Sequence, residues 1–188
     1  MSDPFRLRVL KALSATIKTV TPGITYTHPE TGEEVPFTND LSDYPDPDDA
    51  TITRERVFRG RELFGSSDPL PMVSVLEHPR ALDAMLAPEG SQSAVGEWDL
   101  LVQGFVADDP NHPTDPAHVL SAEVIAVLAK AATQTRDILG LGFREPCVTK
   151  MVIGSPVVRP ADGVNSDQAF FWLTLTLTLV EDREKPFA

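Results

Sequence analysis

Residues 168–181 alternate, with leucine and threonine strictly in turn from Leu173 to Leu179. Phe171, Leu173, Leu175, Leu177 and Leu179 fall on one parity, and Phe170, Trp172, Thr174, Thr176 and Thr178 on the other. A strand turns successive side chains to opposite faces, so this period of two makes the segment the clearest strand in the chain. Its leucine face belongs to a core. Its threonine-plus-aromatic face is semi-polar, suited to solvent or to another subunit.

The other apolar runs are sorted by the same test. Residues 72–77 read as a strand bounded by Pro71 and Pro79. Residues 97–106 read as another, with Trp98, Leu100, Val102 and Val106 on one face and Leu101 and Phe105 on the other. Apolar residues on both faces place it centrally. Residues 54–64 read as a strand carrying Arg54, Arg56, Arg59 and Arg61, and residues 148–153 and 156–159 as shorter ones. Residues 26–37 read as a hairpin turning at Glu30-Thr31-Gly32.

Two segments carry the helical period. Phe5, Val9, Ala12, Leu13, Ile17 and Val20 recur at steps of three and four, after Asp3 as cap and Pro4 at the first position, ending before Pro22-Gly23. The outer face carries Arg6, Arg8, Lys11 and Lys18. The second helix is predicted from Asp115, as cap, and Pro116 to about Leu139. Leu120, Val124, Val127, Leu128 and Ala131 form one stripe, and Val119, Ala122, Ile125, Ala126 and Ala129 make the other side apolar too. Such a helix is buried on more than one side. Residues 79–95 connect strands, with a helical turn expected at 80–86. The element order predicts an α+β fold, two helices packed on one face of a mainly antiparallel sheet.

Charge narrows the function. The 188 residues hold 16 Lys+Arg against 28 Asp+Glu, a formal net charge of −12. This acidity argues against phosphate-backbone binding and against a polybasic membrane anchor. Cys147 is the single cysteine, which excludes an internal disulfide and a Cys-rich zinc site. The first residues lack a signal peptide's pattern and no apolar run spans a bilayer, so an intracellular protein is expected.

The richest polar group is Asp108, Asp109, His112, Asp115 and His118. These residue types suit a divalent metal. Pro110, Pro113 and Pro116 favour instead a rigid turn feeding a helix. Residues 39–50 hold Asp40, Asp43, Asp46, Asp48 and Asp49 with no apolar period, so an exposed loop is expected; the glycine of an EF-hand loop is missing. In an acidic chain the arginines 54, 56, 59 and 61 are expected to pair with carboxylates, within the chain or across an interface, before nucleic acid. Cys147 has no adjacent His or Lys and reads as a small buried residue. His28 and His78 precede prolines and show no catalytic partner. Gly140-Leu141-Gly142 has Glu145 where a dinucleotide fingerprint needs glycine. No residue is assigned to catalysis.

Several segments, in order, resemble a known family. Val57-Phe58-Arg59-Gly60-Arg61 leads into Asp68-Pro69-Leu70-Pro71-Met72-Val73-Ser74-Val75-Leu76-Glu77. Trp98-Asp99-Leu100-Leu101-Val102-Gln103-Gly104-Phe105-Val106 follows, then Asp108-Asp109 and Pro113-Thr114-Asp115-Pro116-Ala117-His118. Phe171-Trp172-Leu173-Thr174-Leu175-Thr176-Leu177 and Val180-Glu181-Asp182 close the set. Together they are similar to the tail terminator, or tail completion, proteins of long-tailed bacteriophages, over about residues 53–183.

The length suits a single domain over 1–188, and beside the shortest members of that family the hairpin and acidic loop at 26–50 look like an addition. The resemblance implies a ring, usually a hexamer, that caps the head-proximal end of the tail tube, stops tube polymerisation and docks to the filled head. The partners implied are further copies of the chain, the major tail tube protein, head-completion or connector proteins, and genome DNA passing through the lumen. No cofactor, metal, catalysis or membrane is implied. The place is the tail-neck junction of the virion, and the host cytoplasm during assembly. Arg54, Arg56, Arg59, Arg61, Trp172, Thr174 and Thr176 are the candidate subunit-interface residues. Two alternatives stand beside this reading. One is another head-tail joining ring, a head-closure or stopper protein. The other is a metal-dependent hydrolase using Asp108, Asp109, His112 and His118.

Overall fold

The structure, a computed structural model, describes residues 3–27, 30–65, 68–78, 93–134, 136–142, 144, 146–161 and 168–187. The fold is α+β: two helices lie on one face of a mainly antiparallel sheet. The main sheet contains β5 (Val57–Arg59), β6 (Met72–Glu77), β7 (Ser93–Val106), β8 (Cys147–Ile153), β9 (Val157–Arg159) and β10 (Ala169–Asp182). The strand order is β5-β6-β7-β10-β8, with β9 also paired to β10. Only β5 and β6 run parallel. Two small ladders stand apart, β1 (Thr25–Thr27) with β2 (Glu34–Pro36), and β3 (Tyr44–Pro45) with β4 (Thr53–Arg54).

The alternation in β10 governs the packing. Phe171, Leu173, Leu175 and Leu177 pair with Gly104, Val102, Leu100 and Trp98 of β7, and all of these are buried. Helices α1 (Phe5–Ile17) and α2 (Asp115–Ala132) cover this face. Phe5, Val9, Leu13 and Ile17 of α1 and Leu120, Val124, Val127, Leu128 and Ala131 of α2 fill the space between layers. Above the end of the sheet, Arg6 of α1 bonds Glu181 of β10 at 2.9 Å and lies over the Trp98 ring. No helix among the described residues is long and apolar enough to cross a membrane.

Several boundaries differ from the sequence expectation. Asp3 does not cap α1: Pro4 occupies the cap position, and Asp3 pairs with Lys11 at 2.6 Å. Asp115 does not cap α2 either; Thr114 holds that position and Asp115 is the first helical residue, where its charge suits the helix dipole. Helix α2 stops at Ala132 rather than near Leu139. Ile138 and Leu139 remain buried, which prolongs the apolar pattern, but Leu139 has φ 61° and cannot continue a right-handed helix.

The strand expected at 54–64 is broken in two. Arg54 belongs to the β3–β4 ladder, and β5 ends at Arg59 because Gly60, at φ 68°, turns the chain back. Residues 39–50 are not wholly exposed: Leu41 is fully buried, its N–H bonded to Val20 O at 2.8 Å, and Asp46 is buried. The helical turn expected at 80–86, His28 and Glu145 lie outside the described residues.

Candidate functional site

The face of the sheet turned away from the helices is built by the second parity of β10. Phe170, Trp172, Thr174, Thr176, Thr178 and Val180 stand beside Phe105, Gln103, Leu101, Asp99, Glu97 and Val95 of β7. Two regions result. Toward β5 a second, smaller apolar cluster forms: the rings of Phe58, Phe64, Phe105, Phe170 and Trp172 follow one another at centroid distances of 5.7, 5.0, 6.1 and 5.4 Å. Toward β8 the surface opens. Thr176 donates to Asp99 at 2.6 Å, Thr174 is exposed, and Val152 and Val157, opposite Thr176 and Trp172, are exposed apolar residues beside them. Trp172 and Thr176 are half-buried. The three β10 candidates thus share one open face.

The arginine run has a different fate at each position. Arg54 pairs with Asp46. Arg56 donates to the carbonyls of Leu70 and Pro71 at 2.8 and 3.2 Å and lies over Tyr44. Arg61 sits between the rings of Phe58 and Phe64 and holds Asp68 with two bonds of 2.6 and 2.7 Å. Arg59 is exposed, and its side chain makes no ion pair or hydrogen bond to any described residue. The four arginines form no common patch: three serve the chain's own architecture, and one faces outward.

The aspartates are also engaged locally. The Asp48 N–H and the Arg54 guanidinium hold Asp46 below the usual carboxylate range. The Ser42 hydroxyl lowers Asp40, and the Thr51 hydroxyl lowers Asp49. Asp109 accepts from the N–H groups of His112 and Asn111 at 2.8 and 2.7 Å, which lower it too. Among the described residues no three His, Cys, Asp or Glu side chains converge as a metal site. Cys147 is buried.

One polar centre escapes sequence reasoning. Glu123 lies within the buried stripe of α2 at 5% exposure. Its carboxylate accepts from Thr38 N, Thr38 Oγ1, Asn39 N and Asn39 Nδ2 at 2.6, 3.1, 3.2 and 2.8 Å. It clamps the chain leaving the β1–β2 hairpin onto α2. The available signal is a lone carboxylate between Leu120 and Val124. Beside the clamp, Tyr26, Val35, Phe37, Val119, Ala122 and Ala126 line an apolar groove of about 410 Å³.

Compared with known proteins, the chain matches no protein-family model and no curated protein.

Proposed function

We propose that this chain is a structural subunit of a ring that caps the head-proximal end of a phage tail tube, ends its polymerisation and offers the surface that joins tail to head. One observation supports the reading: among the described residues helices cover one face of the sheet, and the other face presents Trp172 and Thr174 beside exposed Val152 and Val157. Apolar groups gathered on an open sheet mark a surface meant for another protein. A separate apolar groove on the helix side gives the chain two unlike patches, as head-to-tail ring contacts require.

The acidity fits a passage through which DNA slides. Six chains at −12 each would carry −72. A lumen of that sign repels phosphates instead of retaining them.

The first test is the native mass across protein and salt concentration; a closed ring is expected, and a monomer throughout would overturn the reading. Electron microscopy of tails assembled without the protein tests the role. Overlong headless tubes are expected. Normal-length tails beside DNA-leaking heads would assign the ring to head closure instead.

A further inference from the structure

The segment after β5 is held with unusual economy for an irregular loop. Arg61 is fixed between two phenylalanine rings and doubly bonded to Asp68; its Nε donates to Leu63 O at 3.2 Å, and Ser74 Oγ donates to Arg61 O at 2.7 Å. Gly65 N donates to Asp68 at 2.7 Å, and Phe64 packs on Phe105. All this anchors the residues on either side of Leu63, while Leu63 itself stands in solvent at 87% exposure, the highest among the exposed large apolar residues. A leucine at the tip of a braced loop loses little freedom on contact, which is the condition for a binding anchor. Burying it would remove a whole leucine side chain from water.

The groove between the β1–β2 hairpin and α2 is the matching receptor. It is lined by Tyr26, Val35, Phe37, Val119, Ala122 and Ala126, with Tyr26 and Val119 left 44% and 42% exposed, and at about 410 Å³ it admits a leucine with its neighbours. Local charge is complementary to a second copy. The hairpin wall carries Glu30, Glu33 and Glu34 and neither Lys nor Arg. At the β5 edge, near Leu63 in the chain, stands Arg59, exposed and without an ion pair to any described residue.

We propose that Leu63 of one copy seats in the hairpin–α2 groove of the next, with Arg59 facing the acidic hairpin. The two patches are different parts of the chain, so the contact is head-to-tail and repeats until a ring closes. This inference rests on the ring reading and names the residues that make the ring. Glu62 is the one mismatched charge beside the knob.

The test mixes two full-length variants, Leu63→Cys and Ala122→Cys, under mild oxidation. A cross-linked dimer that forms in the mixture and not in either variant alone is expected. Sedimentation of Leu63→Asp should shift the assembly at least tenfold toward monomer at equal concentration, Arg59→Glu should shift it the same way by less, and Glu62→Lys should tighten it. Circular dichroism melts keep a folding defect separate, since Leu63 and Arg59 touch little of their own chain. A wild-type ring with no cross-link in the mixture, and with Leu63→Asp of unchanged mass, overturns the inference and leaves the ring reading standing. A wild-type chain that stays monomeric overturns both.

Discussion

Gly104 and Phe171 face each other across the β7–β10 ladder, and the ring lies over the place where a side chain would be. A Cβ at Gly104 would sit 2.1 Å from Phe171 Cε1, inside any van der Waals contact, and Phe171 is fully buried. Alanine in a strand is otherwise favoured over glycine by about 0.5–1 kcal/mol. Overpacking a tight core costs about 1–3 kcal/mol, so the clash prevails. Gly104→Ala should therefore lower stability in urea by about 1–2 kcal/mol. Combined with Phe171→Leu it should cost less than the sum of the two changes, by about 0.5 kcal/mol or more. Strict additivity would mean that the ring does not occupy that space. Residue-scale facts of this kind are hard to read from sequence. The pattern shows that Arg54, Arg56 and Arg61 are charged, but their partners, Asp46, the Leu70 and Pro71 carbonyls and Asp68, are set by turns. Glu123 is the same case: its ligands are 84 and 85 positions away in the chain.

Elements with one strong period are legible; elements built by turns are not. β6, a short apolar run after Pro71 buried on both faces, matches its expected span, and β10 differs by one residue at each end, because alternation over that whole strand leaves one register that buries the leucines. The segment 39–50 carries no such period, and there aspartates organise the backbone. Asp40, Asp46 and Asp49, with Asp109 farther on, each bond donors two or three residues ahead. The hydroxyls of Thr25 and Thr27 lower Glu34 in the hairpin in the same way. A carboxyl with its folded pKa below the unfolded value contributes its stability in full above about pH 4, the unfolded value. That contribution is lost as the pH falls through the lower folded value. The protein should thus hold a flat melting temperature from neutral pH to about 4 on account of these groups, and lose it below. Asp46→Asn should melt lower than the parent at pH 7, with the gap closing in acid. A gap that stays constant down to pH 2 would show that the Asp46 charge contributes nothing to the turn.

At the scale of the whole molecule two forces act on association, and salt separates them. Each chain carries −12, so copies repel, and the repulsion reaches about 10 Å at 0.1 M salt but only about 3 Å at 1 M. The attractive surfaces are mainly apolar: Leu63, the hairpin–α2 groove, and Trp172 with its valine neighbours on the open sheet. Apolar burial is not weakened by simple salt over this range. Arg59 against the acidic hairpin is one exposed attraction, worth about 0–1 kcal/mol and itself screened. Twelve net charges on each copy outweigh that single pair. Raising sodium chloride from about 50 mM to about 500 mM should therefore strengthen self-association, moving the sedimentation midpoint to lower protein concentration. Arg59→Glu should make the salt response steeper, because it replaces the one attraction with further repulsion. Dissociation by salt would mean that ion pairs, not the leucine and the open sheet, hold the copies together.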